Sequence, residues 1–286
     1  MFEKGYLSQV LGFELEDGRR IVVKVRPWAE RLLACAEVHA SLFLTGYPCP
    51  RPISATEQLA GWAVSAESLV QDQEQLALGS DSPRLFADAL SWFLREAPQL
   101  PRPSTLNPSP PWTDWDDRGR QVLWPEPDDP RDTDLNPLPR TWVDAAASTV
   151  RTFLLEVSDK QPVVGHLDWY SANLGWRDRK LVAVFDWDSV GAQPEACVAG
   201  LAAAVWPATG GAGEEATVEQ SEQFLEHYAG GRQWSDAEMR TAWAAGVWVR
   251  CFDAKKAEAI NENPEVVITR QEARDRLRLA DLPDDL

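Results

Sequence analysis

Histidine is scarce in this chain, with 3 in 286 residues, and methionine (2) and cysteine (4) are nearly as rare. Few histidines leave little material for a zinc or di-iron centre, since His39 and His227 each stand alone on helix-like stretches. The cysteines at 35, 49, 197 and 251 form no C-x-x-C pair, which argues against a disulfide or zinc framework and reads them as reduced packing residues. No apolar run is long enough to span a bilayer, and the opening MFEKGYLSQV carries no signal-peptide apolar core, so a cytoplasmic protein without membrane attachment is expected. Positive charge is short as well: 28 Lys and Arg stand against 45 Asp and Glu, a formal net charge of −17. That balance argues against nucleic acid as a partner and is compatible with a cationic one. There is no internal repeat, and the length suits one large domain or two lobes.

What is present centres on residues 162–191, PVVGHLDWYSANLGWRDRKLVAVFDWDSVG. A short apolar lead-in gives way to a polar loop holding His166, Asp168 and Asn173. A hairpin follows, Asn173 to Trp176 and Leu181 to Phe185, turning at Arg177-Asp178-Arg179-Lys180. Its second strand delivers Asp186 and Asp188, which alternation places on one face while Trp187 turns away. Carboxylates among Val, Leu, Phe and Trp are costly unless a metal or charged ligand compensates them. The spacing H-x-D-x-x-x-x-N with a later strand-end Asp is the order used in kinase phosphoryl transfer. It assigns Asp168 to the attacking hydroxyl, Asn173 and Asp186 to magnesium, and His166 to support beneath the loop. A polar turn between buried strands, or a dinuclear metal hydrolase using His166, Asp168, Asp186 and Asp188, are the rival readings of the same residues.

Upstream, Gln9 to Asp17 and Arg20 to Arg26 read as strands joined at Asp17-Gly18. The second contains Lys24. Pro27 to Thr45 reads as a helix closed by Gly46 and Pro48, with Leu33, Glu37, Ala40 and Leu44 as its core-facing stripe. A carboxylate on that face needs a cation, and Lys24 is the expected partner for Glu37, as in the strand-lysine and helix-glutamate pair that orients nucleotide phosphates. Leu59 to Ser65 reads as a further strand leading into Ala66-Glu67-Ser68, an expected interlobe hinge whose backbone, at Glu67, would meet an adenine edge. Domain limits of 1–66 (nucleotide-binding lobe) and 67–286 (catalytic and acceptor lobe) follow.

The second lobe reads as helical. Ser82-Pro83 opens one helix, Arg140 to Val157 forms another, and Glu195 to Trp206, Thr217 to Tyr228, Ser235 to Ala259 and Arg270 to Ala280 follow, Ser235 and Glu238 making a capping box. The proline-rich stretch from Pro98 to Pro139, with Trp112, Trp115, Trp124 and the acids Asp114, Asp116, Asp117, Asp128 and Asp129, reads either as a surface excursion with tucked-in aromatics or as a cover over a cationic, polyhydroxylated ligand. Strands early and helices late give an α+β, two-lobed architecture.

Taken together, GHLDWYSAN with VFDWDSVG, preceded by VVKV, the AEVH helix and GYPCPRP, resembles the aminoglycoside phosphotransferase and choline kinase-like family, small-molecule kinases on the protein-kinase fold. The likeness runs from about Gly5 to beyond Lys256. It implies ATP (or GTP) and Mg2+ as cofactors, a small-molecule hydroxyl as acceptor, Asp168 as base, Asn173 and Asp186 as metal ligands, and Lys24 with Glu37 as the phosphate-orienting pair. Asp188 would be a second acid near the metals or a surface charge at the strand end. Three departures stand out: Leu167 where the family usually has Gly, Gly200-Leu201-Ala202 without a preceding acid, and no complete glycine-rich loop near Gly5. The last raises the alternative of a catalytically silent binding protein on the same fold.

Overall fold

A three-residue strand, β1 (Phe2–Lys4), pairs with β2 (Gln9–Glu14), which turns at Asp17-Gly18 into β3 (Arg20–Pro27). The computed structural model describes residues 2–4, 9–98, 103–116, 119–127, 132–157, 160–211 and 213–286. Gly18 takes the left-handed φ of 83° that the tight turn needs, and Asp17 accepts the Arg19 N–H at 3.0 Å. Residues 5–8, where the family's glycine-rich loop would fall and where the sequence has no complete one, lie outside the described residues.

Helix α1 (Arg31–Thr45) follows and ends at Gly46, also left-handed at φ 83°. Its buried face is Leu32, Cys35, Val38, His39 and Leu42, whereas Leu33, Glu37 and Leu44 are exposed. The expected core stripe is therefore corrected by a rotation of about one residue, about 100° on a helix. Both sets have helical spacing in this Leu- and Ala-rich segment, so periodicity alone could not choose between them. A short edge strand, β4 (Glu57–Leu59), and β5 (Trp62–Ser68) complete an antiparallel sheet in the order β1-β2-β3-β5-β4. The Ala66-Glu67-Ser68 trio lies inside β5, so the sheet runs two residues past the expected lobe limit.

The larger part is built from α2 (Ser82–Glu96), α3 (Trp142–Val157), β6 (Pro162–His166), the hairpin β7 (Leu174–Arg177) and β8 (Lys180–Val184), β9 (Val190–Pro194), α4 (Glu195–Val205), α5 (Val218–Ala229), α6 (Asp236–Ala259) and α7 (Arg270–Leu279). The β7–β8 turn is tighter than expected, with Asp178 and Arg179 both at positive φ, the conformation a two-residue hairpin demands. The Ser235–Glu238 capping box forms as expected. Strand β9 pairs with β6 and was not anticipated, because VGAQP has no alternation and a single strong β-former, Val190.

The family departures have packing explanations. A Cβ on Gly200 would collide with the Ala242 carbonyl, so α4 and α6 cross where no side chain fits. Leu167 is buried, and a Cβ on Gly191 would strike it; the bulk absent from one position fills the other. In the proline-rich stretch, Trp115 and Trp124 are buried against Trp248, and Trp112 Nε1 donates to the Leu167 carbonyl at 2.8 Å. These aromatics are tucked in, and they brace the loop beneath them. Asp117, Asp128 and Asp129 lie outside the described residues.

Candidate active site

β6 carries the chain inward to His166, which is 1% exposed. The Asp168 N–H donates to His166 Nδ1 at 3.3 Å, which fixes the proton on Nε2 and lets it donate to the Phe185 carbonyl at 2.8 Å. Burial lowers the imidazole pKa to about 4, so it is a neutral strut clamping the polar loop to the end of the hairpin. The supporting role expected for His166 is the one its geometry gives.

Asn173 closes the loop: its Nδ2 donates to the Asp168 carbonyl at 2.9 Å and to Asp168 Oδ2 at 2.8 Å. Burial pushes the Asp168 carboxyl up to about 7; the Asn173 bond pulls it back while Asp253 and Asp188 add to the rise. Phe185 N–H donates to the Asn173 carbonyl at 2.8 Å, placing the next residue, Asp186, beside this loop.

Asp186 and Asp188 reach the site by a different route from the extended strand expected. β8 stops at Val184, Asp186 is left-handed at φ 61°, and Trp187–Ser189 is a single 3-10 turn. A non-glycine residue held there costs about 1–3 kcal/mol and persists only where its surroundings impose it. Here Ser189 Oγ donates to Asp186 Oδ2 at 2.8 Å, and Trp187 stacks on His39 with centroids 4.4 Å apart. Burial raises the Asp186 carboxyl well above its usual range, and the neighbouring Asp188 raises it further. Asp188 goes the other way: against burial, the Arg26 guanidinium in contact with it holds its carboxyl below the ordinary value. Asp188 is therefore not a surface charge; it is largely buried and half of an ion pair.

Lys24 Nζ lies 3.3 Å from Glu67 Oε1. Burial opposes its charge, but Glu67, Asp186 and Asp188 keep it protonated above its ordinary value. The expected Lys24–Glu37 pair is not formed: Glu37 is exposed on α1, in the lining of the cavity that Lys24 also lines, and the lysine's ion pair is with Glu67. The expected adenine-reading edge at Glu67 is also corrected. Ala66 O accepts from Ile53 at 2.8 Å, Ser68 N–H donates to Arg51 O at 2.9 Å, and Glu67 sits in register with Val22, so the trio is bonded to β3 on one edge and to the Arg51–Ile53 connector on the other.

A cavity of about 440 Å³ opens from Asp168 and Asn173 toward Tyr170, Glu215, Asp253 and Glu262, with Lys256 also in its lining. Tyr170 Oη donates to Asp253 Oδ2 at 3.1 Å, and burial with Glu215 lifts the Asp253 carboxyl to about 6. Arg250, one turn earlier on α6, donates to the Ala204, Ala216 and Val267 carbonyls and fixes the cavity walls. Among the described residues, the proline-rich stretch does not line this cavity, which corrects the expected covering segment. Asp253, Glu215 and Glu262 escaped sequence reading. The available signal was Asp253 itself, an acid inside the apolar run WVRCFDA.

The donor set fits a magnesium ion. Both Asn173 amide bonds are spent on Asp168, leaving Oδ1, and the Asp186 carboxyl, raised by burial and by Asp188 beyond what Lys24 offsets, has room for a further cation. No cluster of three or more His, Cys, Asp or Glu able to hold a metal occurs among the described residues.

Residues 2–237 match the family described as the phosphotransferase enzyme family. No curated protein matches the chain at a significant level. Among solved structures, amicoumacin kinase hAmiN in complex with AMP-PNP, Ca2+ and Ami is 13% identical, with 98% of this chain and 87% of that one covered and a TM-score of 0.66. A thermostable mutant of aminoglycoside phosphotransferase APH(4)-Ia, in a ternary complex with ADP and hygromycin B, is 12% identical, with 97% and 93% covered and a TM-score of 0.61. Plasmodium vivax ethanolamine kinase is also 12% identical, with 98% and 81% covered and a TM-score of 0.58. At these identities the likeness establishes the two-lobed kinase fold.

Proposed function

Since the chain belongs to the phosphotransferase enzyme family, we propose that it transfers the γ-phosphoryl group of ATP to a hydroxyl of a small, cationic, polyhydroxylated molecule. The observation that carries this reading is the shared cavity: Asp168 and Asn173 open directly into a space whose other walls bear Glu215, Asp253 and Glu262. An acceptor there meets the loop Asp with its hydroxyl and the acids with its positive charge. The similar structures with AMP-PNP or ADP support an adenine nucleotide as donor.

In this mechanism the acceptor oxygen forms a bond to the γ-phosphorus while the bond to the bridging oxygen breaks, its electron pair leaving on ADP and the hydroxyl proton passing to Asp168. Asp168 is held for that task by the two Asn173 bonds and by His166 beneath it. Asn173 Oδ1 and Asp186 would hold the magnesium ion, which supplies charge neutralisation at the phosphates. Lys24 would meet the phosphates from the N-lobe side. Phosphoryl transfer in this class is mostly positioning and electrostatics, so a rigid loop serves it better than a strong base.

The test is an acceptor screen over aminoglycosides, choline-like amines, amino alcohols and neutral sugars with ATP and magnesium, followed by product mass. Phosphorylated amines are expected. Turnover of neutral acceptors alone would remove the cationic part, and no magnesium-dependent nucleotide binding would remove the kinase reading and favour a silent binding protein.

A further inference from the structure

We propose that Glu67, on β5, is the residue that positions Lys24 for the nucleotide phosphates, and that Glu37 on α1 has no part in it. The inference rests on the kinase reading above and goes beyond it, because it takes the lysine's partner off the helix and puts it on the sheet.

The contact is direct, 3.3 Å, between side chains only 16% and 10% exposed. Lys24 lies opposite Ser65, and Val22 opposite Glu67, so the lysine and the glutamate are diagonal neighbours on one face of two paired strands. Their separation is set by β-register, which a loose helix cannot alter. Arg26, on the same face of β3, is already committed to Asp188, which leaves Glu67 as the partner in contact with Lys24.

Glu37 is exposed on α1 and makes no ion pair with Lys24. A cavity of about 550 Å³ has both Glu37 and the Lys24–Glu67 pair in its lining, with α1 on one side and the sheet on the other. Rotating α1 to bring Glu37 closer would carry Leu32, Cys35, Val38 and Leu42, each 5% exposed or less, out of the core. The start of α1 is also fastened: Arg31 donates to the carbonyls of Leu106, Asp188 and Val190. Finally, the backbone of Ala66-Glu67-Ser68 is occupied, so Glu67 acts on a nucleotide through its carboxylate and through Lys24. A pair fixed within one sheet is a standing part of the site, made without any movement of α1.

Calorimetry on the full chain tests this with MgATP and, separately, adenosine, in the unaltered protein and in Lys24→Ala, Glu67→Ala, the near-isosteric Glu67→Gln, Glu37→Ala and the Lys24→Ala/Glu67→Ala double variant. Removing the Glu67 charge should weaken MgATP about tenfold and leave adenosine within about twofold, while Glu37→Ala changes neither. In the Lys24→Ala background, losing Glu67 should add less than about twofold, the signature of a residue acting through another. If Glu67→Ala fails to fold, Glu67→Gln carries the comparison. Equal losses of adenosine and MgATP, full additivity with Lys24→Ala, or a tenfold loss in Glu37→Ala would each overturn the proposal. Failure of the unaltered chain to bind MgATP would instead remove the kinase reading, and is visible before any variant is made.

Discussion

On the N-lobe side of the cleft, Asp188 and Glu67 each contact a basic side chain, Arg26 and Lys24. Asp168, Asp186 and Asp253 are instead in no ion pair with a described residue and hydrogen-bond to the Asn173 amide, the Ser189 hydroxyl and the Tyr170 hydroxyl, Asp186 also to Asp188. The carboxyls follow their company. Asp188 is held below its usual range, whereas Asp168 rises to about 7, Asp253 to about 6, and Asp186 well above its ordinary value, burial leading in each case. A folded chain whose three acids stay above their ordinary values although Lys24 lies near Asp186 and Lys256 near Asp253 has placed negative charge where a ligand's positive charge is to come. The paired side holds the framework, and the unpaired side is where metal and acceptor would enter.

Replacing Asp168 by Asn is the harshest test of that division. The amide keeps the volume but cannot take a proton, so phosphoryl transfer should fall by about 10²–10⁴ while MgATP binding stays close to wild type. Radiolabel transfer from ATP, read beside calorimetry, separates the two. Retained turnover would move the base elsewhere. Asp186→Asn comes next. Thermal shift with ATP should lose its magnesium-dependent part, which at a ligand concentration of 100 times Kd amounts to about 2.7 kcal/mol, while any shift with ATP alone survives. A full magnesium response in this variant would remove Asp186 from the metal site.

The paired side should answer in stability instead. Arg26→Met keeps the apolar stem and strands Asp188 without its ion-pair partner, a loss of about 2–3 kcal/mol at neutral pH, below the usual value for a fully buried pair because each side chain keeps 15% exposure. Denaturant unfolding measures it. A stability within 0.5 kcal/mol of wild type, an order-of-magnitude threshold for surface changes, would mean that Asp188 belongs with the unpaired acids after all.

The two sides were also unequally legible in the sequence. The catalytic loop could be read because its residues are local: His166, Asp168 and Asn173 fall within eight positions, and Asp186 follows through a hairpin whose register ties it back. The Lys24 partner could not, because it depends on which face of α1 is buried, and Leu33-Glu37-Ala40-Leu44 and Leu32-Cys35-Val38-Leu42 both step by three and four residues, as one face of a helix does. Arg26 to Asp188 spans 162 positions and leaves no pattern at all. The acceptor wall was equally hidden, since Glu215, Asp253 and Glu262 come from three segments and meet only when α4 and α6 cross at Gly200. The tryptophans of the proline-rich stretch were legible as aromatics, but composition does not say whether an indole faces a ligand or Trp248.

The mildest test lies at the junction between the unpaired acids and the acceptor. Tyr170 is two residues after Asp168 and donates to Asp253, so it links the loop that would orient the hydroxyl to the acid that would meet the acceptor's charge. Tyr170→Phe removes only that hydroxyl. Asp253 then loses a hydrogen bond that favours its ionised form and gains freedom to turn, and the acceptor's ammonium meets a less ordered carboxylate. One hydrogen bond to a charged group, partly replaced by water in an open cavity, is worth about 1 kcal/mol, so the acceptor KM should rise about fivefold with kcat within about twofold. Steady-state kinetics with the best amine from the acceptor screen reads this split. A fall in kcat at constant KM would place Tyr170 with Asp168 in the transfer step and detach Asp253 from acceptor recognition.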